Sequence, residues 1–361
     1  MAAPVTIPAM VSAHSHAFQR DLRGIGERRS QAAGDDFWSW RHAMYALAGA
    51  LDPDAMHAAA LRTYTEMVAA GYGAVGEFHY VHHQADGTPY AQPNAMADAV
   101  AAAAREAGIA CVLLPAAYAR AGYGRAPEGG QRRFYDPDVE SFLARVDALE
   151  HPHGIAAHSV RAVPADWLEA IAAYADAHDL VRHVHASEQP RELEECRAEH
   201  GCSPIELLER TGFLGQRTSV VHGIHVSERD VELLARSGTT VVSCPTTEGN
   251  LGDGFPPALA YRDAGVPLAI GTDENLVLDP FEEVRELETL ARRERRTRDA
   301  LLAHHGDLWA ELARAGAHSI GLAAPPAPIR VDADHPRLRG VGRADLPLAL
   351  ATCASAAIVL R

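Results

Sequence analysis

Val11-Ser12-Ala13-His14-Ser15-His16 is an apolar run that ends in two imidazoles two residues apart. In an extended strand, residues i and i+2 share a face, so both rings can reach one metal ion. In a chain with 20 histidines an HxH pair alone says little, because short motifs often match by accident. Its weight comes from the rest of the chain, where further strand-like runs end at His185, with Glu188 three positions on, at His222 and at Asp273.

Outward from this stretch, eight β-rich runs can be counted: Ala9–His14, Ala74–Tyr80, Ile109–Ala117, Gly154–Ser159, Val181–Ala186, Ser219–Gly223, Thr240–Ser243 and Leu268–Gly271. Between them lie helical patterns at Asp54–Ala70, Asn94–Ala107, Pro137–Leu149, Pro164–Ala177, Pro190–Glu199 with Pro204–Glu209, Ser227–Arg236 and Pro256–Asp263, and Pro280–Ala303 and Leu308–Ala315 come after the last strand. Ser227 with Asp230 three positions on resembles a capping box, and Gly71, Gly108, Gly238 and Gly265 stand where left-handed helix caps are wanted. Alternation of this kind means parallel strands with crossover helices, and eight such units predict an α/β fold, a (β/α)8 barrel over residues 1–320. Gly321–Pro328 (GLAAPPAP) looks like a linker into a C-terminal tail, 321–361.

Such barrels carry their chemistry at the C-terminal ends of the strands. His14 and His16 end the first predicted strand, His158 the fourth, His185 the fifth, His222 the sixth, and Asp273 the eighth. Any one buried histidine is usually a core residue with a hydrogen-bond partner. Five on one rim are hard to explain as core filling.

The chain has 361 residues, 47% of them apolar, and all 33 basic residues are arginine. A formal charge of −15 argues against nucleic acid or an anionic membrane surface as the main partner. The five cysteines form neither a disulfide framework nor a CxxC site, which fits a reducing cytoplasm. No signal-peptide pattern and no apolar run of about 18 residues is present, so a soluble cytoplasmic protein is expected.

Three imidazoles (His14, His16, His185) and one carboxylate (Asp273) suit one borderline divalent ion, zinc first, with iron or manganese as alternatives. Water at such an ion is acidified toward neutral pH. Glu188 is placed to take up its proton and pass it to a leaving nitrogen, with His222 orienting the attacking group or stabilising developing charge. The plainer role for Glu188 is a helix-start carboxylate facing the helix dipole.

HSHAFQR (His14–Arg20), GEFHYVHH (Gly76–His83), AAHSVRAVP (Ala156–Pro164), HVHASEQPRE (His183–Glu192), CPTTEGNLGDG (Cys244–Gly254) and the Asp of GTDEN (Gly271–Asn275) resemble, in unbroken order from Ala9 to Arg298, the formimidoylglutamate deiminases, a branch of the metal-dependent amidohydrolase superfamily. The resemblance implies His14, His16, His185 and Asp273 as metal ligands and Glu188 with His222 as the proton-transfer pair. It further implies Gln19, Arg41, Tyr80, His158 and Arg161 as substrate contacts. The implied reaction is hydrolysis of N-formimidoyl-L-glutamate to N-formyl-L-glutamate and ammonia, a step of histidine degradation. The implied partner is thus a small anionic, amino-acid-derived substrate, and a homodimer is compatible with it.

Arg41 and Arg161 make sense by themselves, since a diacid is well held by bidentate guanidinium forks; the plain alternative is a surface arginine. The aromatics around Arg41 (Phe18, Phe37, Trp38, Trp40, Tyr45) are expected to pack loops more than to stack on a ligand, with a wall near the pocket as the alternative. Two departures from the family stand out. The family has a longer segment before HxH, part of a small β-sandwich completed by the chain's end, so that subdomain is expected to be missing or reduced here. After the metal aspartate the family reads Ser-His, whereas this chain has Glu274-Asn275, and Glu274 is a carboxylate that strengthens cation binding, repels a diacid or points to solvent. Competing functions are an iminohydrolase or deaminase for another small formimidoyl or amidine acid, such as N-formimidoyl-L-aspartate, and a non-catalytic metal-binding barrel. Glu188 and His222 speak against the latter, because binding alone needs no proton shuttle.

Overall fold

Eight of the buried runs become one continuous parallel sheet in the computed structural model, which describes residues 4–26, 37–298, 300–302 and 307–360, with the backbone alone for 37–39. The chain opens with β1 (Val5–Ile7), and the sheet is built from β2 (Met10–Ser15), β3 (Tyr72–His79), β4 (Ala110–Ala117), β5 (Ile155–Ser159), β6 (Arg182–Ala186), β7 (Thr218–His222), β8 (Thr240–Ser243) and β9 (Leu268–Ile270), paired in chain order. The expected eight strands are therefore all present. Closure runs through a parallel bridge between Ser15 and Asp273, with the Thr272 N–H on His14 O and the His16 N–H on Asp273 O, both at 2.9 Å. Gly271 permits this approach, since a Cβ there would lie 2.8 Å from His14 Cβ and 2.9 Å from Cys244 Sγ.

The helices are α1 (Phe37–Ala50), α2 (Pro53–Ala70), α3 (Ala95–Ala107), α4 (Val139–Asp147), α5 (Ala165–Ala177), α6 (Pro190–His200), α7 (Pro204–Arg210), α8 (Glu228–Ser237), α9 (Pro245–Leu251), α10 (Ala258–Ala264), α11 (Pro280–Arg295) and, beyond it, Leu308–Ser319 and Leu346–Thr352. Ser227 and Asp230 form the expected capping box on α8, and Gly71, Gly108, Gly238 and Gly265 are left-handed caps. The helix expected over Pro280–Ala303 stops at Arg295. Arg296 turns left-handed, and Glu288 accepts the N–H groups of Ala300, Leu301 and Leu302 at 3.1, 2.8 and 3.2 Å, holding the chain back against α11. Ala303 lies outside the described residues. Helices α1 and α9 were not expected.

Beside the barrel, the two ends of the chain form a three-stranded antiparallel sheet, in the order β1, β10 (Ile329–Val331), β11 (Val359–Leu360). Val5–Ile7, which the sequence pattern groups with the barrel, belong to this sheet. The end of the barrel opposite the site is shut. His183, two residues before His185 on β6 and so on the same face, bonds Ser319 O at 2.9 Å, and Ser219 Oγ meets Ser319 Oγ at 2.7 Å. Val11, Ala74, Val112, Val221, Val242 and Ala269 pack in one buried cluster with Ala317 and Ile320. All five cysteines are unpaired, and among the described residues no helix is long and apolar enough to cross a membrane.

Candidate active site

The open end of the barrel gathers the polar ends of β2, β6 and β7 and the turn after β9. His16 Nδ1 bonds Phe78 O and His185 Nδ1 bonds His158 O, both at 2.8 Å. A carbonyl can only accept, so these nitrogens carry the protons and each Nε2 presents a lone pair. His14 Nε2 stands 3.0 Å from His185 Nε2, and Asp273 Oδ1 is 3.5 Å from His14 Nε2 and 3.4 Å from His16 Nε2. Burial drives the His14 pKa down to about 3 and lowers those of His16 and His185, so the rings are neutral. Burial works against ionisation of Asp273 too, but the contacts to His14, His222 and His16 prevail and hold its carboxyl well below the usual range. Converging imidazole nitrogens with one carboxylate oxygen form a donor set that fits a divalent ion.

The backbone carries strain where these groups converge. Ser187, His222, Asp273 and Asn275 have φ of 58°, 73°, 43° and 59°, a region that costs a non-glycine residue about 1–3 kcal/mol. Asn275 is bonded on all sides: its Nδ2 donates to Asp273 O (2.9 Å), His16 O (3.0 Å) and Ser15 Oγ (3.2 Å), and its Oδ1 accepts from Thr272 Oγ1 (2.7 Å). It therefore ties the end of β2 to the turn carrying Asp273. Its neighbour Glu274 is buried and accepts from Asn250 Nδ2 at 3.2 Å. It points neither to solvent nor into the cavity, because Thr247 Oγ1 and α9 draw the turn away from the barrel mouth.

Beside these converging donors, His222 Nε2 lies 3.7 Å from Asp273 Oδ2 and 3.8 Å from Glu188 Oε1, while its Nδ1 bonds Glu248 Oε1 at 3.3 Å. Burial alone would lower the His222 pKa, but Glu188, Glu248 and Asp273 outweigh it and raise it to about 10. Burial raises the Glu188 carboxyl, with His222 and Arg161 opposing. The helix-start role open to Glu188 is taken by Glu192, whose Oε2 accepts the Glu188 N–H at 3.2 Å, so the Glu188 carboxylate turns to His222. Glu248 is almost completely buried and also accepts the Cys244 N–H (2.8 Å) and the Ser243 hydroxyl (2.9 Å). His222, Cys244 and Glu248 lie close enough to hold an ion, but each oxygen of Glu248 already has a donor, and burial keeps the Cys244 thiol protonated. This cluster orients His222.

One cavity is lined by His16, Gln19, Arg41, Tyr80, His158, Arg161, His185, Glu188, His222 and Asp273. The residues singled out in the sequence are thus brought together, with His14 fully buried beneath them. Gln19 Nε2 donates to Tyr80 Oη at 2.8 Å. Burial, with Arg161 and Arg41 nearby, keeps His158 neutral. Trp40 and Tyr45, expected to pack loops, also line the cavity, as do Met44, Tyr118, Phe134 and Leu251. Phe18 packs on Tyr80, and the side chains of Phe37 and Trp38 lie outside the described residues. Glu248, Tyr118 and Asn275 were missed as site residues; Glu248 stood within CPTTEGNLGDG, but nothing in the sequence pairs it with His222.

A closed eight-stranded barrel with imidazoles and a carboxylate converging at its C-terminal rim defines the class as a barrel hydrolase. The sequence model of the amidohydrolase family matches residues 5–315, and the chain belongs to that family. It is 39% identical over 302 residues to the formimidoylglutamate deiminase of Pseudomonas aeruginosa, covering 82% of this chain and 66% of that protein. It is 29% identical over 326 residues to a 5-methylthioadenosine/S-adenosylhomocysteine deaminase of Halobacterium salinarum, covering 86% of this chain and 67% of that one. The chain thus spans about two thirds of the length of these curated relatives. Its fold superposes on the crystal structure of an amidohydrolase from Brucella melitensis with a TM-score of 0.88 at 34% identity, over 98% of this chain and 84% of that one.

Proposed function

We propose that this protein is a metal-dependent hydrolase of carbon–nitrogen bonds that converts N-formimidoyl-L-glutamate and water to N-formyl-L-glutamate and ammonia. The observation that carries the reading is the placement, in one cavity, of the Glu188–His222 pair beside the imidazole and carboxylate donors and of Arg41 and Arg161 on the same lining. The two arginines favour a diacid over 5-methylthioadenosine, one of the compounds named for the second relative, which carries no carboxylate. His14, His16, His185 and Asp273 would hold one divalent ion, zinc by donor type. Such an ion would acidify water and polarise the C=N bond.

The chain's own groups supply the rest. Glu188 Oε1 takes a proton from the water whose oxygen bonds to the formimidoyl carbon and passes it to the terminal nitrogen; the second water proton follows as the C=O forms, the C–N bond to that nitrogen breaks and ammonia leaves. His222 Nε2, between Glu188 and Asp273, stabilises negative charge that develops on the way. Arg41 and Arg161 bind the carboxylates with charge-assisted bonds, and Gln19, Tyr80 and His158 surround the substrate. The test is ammonia release by the zinc-loaded protein from formimidoylglutamate, formimidoylaspartate and 5-methylthioadenosine. Turnover of the first at the highest kcat/KM supports the proposal; preference for either of the others refutes the substrate assignment.

A further inference from the structure

Three polar side chains beside Arg41 have no part in the proton transfers above. Gln131 Oε1 accepts the Glu128 backbone N–H at 3.1 Å, and because a backbone N–H can only donate, the orientation of the Gln131 amide is fixed. Its Nε2 hydrogens then point at two phenols, Tyr45 Oη at 3.0 Å and Tyr118 Oη at 2.8 Å. Arg41 Nη2 also donates to Tyr118 Oη, at 3.3 Å, and its guanidinium lies 5.2 Å over the Tyr45 ring. Neither Gln131 Nε2 nor Arg41 offers an acceptor, so neither phenolic proton can go to them.

Inside the cluster each phenol can find an acceptor only in the other, and one such bond uses one proton. At least one O–H must therefore seek its acceptor outside the cluster. Among the described residues no other acceptor is bonded to either hydroxyl, and both tyrosines line the cavity together with Arg41, Arg161 and His158. Burial and the neighbouring phenol keep the Tyr45 hydroxyl protonated, against the pull of Arg41 and Arg161. A wall made of a guanidinium and phenolic donors is complementary to a group that only accepts.

We propose that Tyr45 and Tyr118, their oxygens held by Gln131, form with Arg41 a donor-only subsite that binds a carboxylate of the substrate and discriminates it from the corresponding carboxamide. The inference rests on reading the cavity as a site for an acidic substrate. A carboxamide would set its own N–H groups against donors, leaving buried hydrogens unpaired, and a site of that kind rejects the mismatched ligand strongly.

Calorimetric binding of glutarate and of its monoamide to the zinc-loaded full chain tests this without turnover. Glutarate should bind about tenfold or more tighter than the monoamide, as expected for one charge-assisted bond exchanged for a donor clash. Tyr45→Phe/Tyr118→Phe should lose at least that factor for glutarate, and Gln131→Glu, which draws the phenolic protons to itself, should lose as much. Thermal unfolding checks that the variants fold, and the comparison of the two ligands on the unaltered protein stands even if they do not. Equal affinity for glutarate and monoamide, or wild-type glutarate affinity in the folded double variant, overturns the subsite. If the binding pattern appears but formimidoylglutamate yields no ammonia, the subsite stands and the proposed reaction falls. If ammonia is released and the double variant has the wild-type KM, the reaction stands and the subsite falls.

Discussion

Glu248→Gln separates the charge behind His222 from the packing around it. In the structure Glu248 Oε1 accepts from Cys244 N–H and from His222 Nδ1, and Oε2 accepts from Ser243 Oγ. A glutamine with its oxygen at the first position keeps both N–H donors, and its amide nitrogen can donate to the Ser243 hydroxyl, which also accepts. The Ser243 hydroxyl proton and the second amide hydrogen lose an acceptor in this buried place, so the stability loss should be about 1–3 kcal/mol. Turnover should fall as well, because an outer carboxylate that fixes the tautomer and orientation of an imidazole is typically worth about 10–100-fold. Glu248→Ala leaves the buried Cys244 N–H without an acceptor and should cost a further 1–3 kcal/mol or so of stability. The assay is steady-state kinetics on zinc-loaded protein with parallel metal analysis and thermal unfolding. The expected result for Glu248→Gln is kcat lowered about 10–100-fold, with metal content retained and KM changed far less than kcat. Wild-type kcat would refute the positioning role, and loss of metal together with fold would show Glu248 to be structural.

The remaining predictions concern groups closer to the reaction. His14→Ala and Asp273→Ala should each fail to retain stoichiometric metal by elemental analysis, and undiminished metal in both would remove the ligand assignment. Glu188→Gln should keep metal and fold but lose about 10²-fold or more in kcat, with His222→Asn similar; near-full activity in Glu188→Gln would return that residue to the helix start. Arg41→Ala and Arg161→Ala should each cost about 2–5 kcal/mol in kcat/KM, mostly through KM, with lysine rescuing only in part because it loses the fork. Glu274→Ser should not improve use of the diacid, since Glu274 faces Asn250 rather than the cavity; a clear gain in kcat/KM would contradict that placement.

The barrel was legible because its determinants are local. Each strand is a short buried run, and the caps at Ser227, Gly71 and Gly238 are set by residues a few positions away. The closeness of the His14 and His16 rings was legible for the same reason, since the i, i+2 spacing places both on one face before any fold is known. What escaped the sequence depends on distant pairings. Val5–Ile7 are too short for a periodic signal and find their partners at Ile329–Val331, at the other end of the chain. Trp40 and Tyr45 looked like loop aromatics because helix α1 around them was not anticipated. The partners that give Tyr45 a polar role, Gln131 and Tyr118, lie far along the chain. For Glu274 the sequence left three roles open, at the cation, against a diacid or toward solvent, and the left-handed turn at Asp273 and Asn275 takes it to Asn250 instead.

Hydrolysis of the C–N bond of an acidic formimidoyl compound in this cavity is the central claim. Incubating the metal-loaded protein with N-formimidoyl-L-glutamate and measuring ammonia and N-formyl-L-glutamate together tests it most directly. Equimolar release of the two products is expected, abolished by a chelator and restored by zinc. No ammonia from protein shown to carry one equivalent of metal would contradict it.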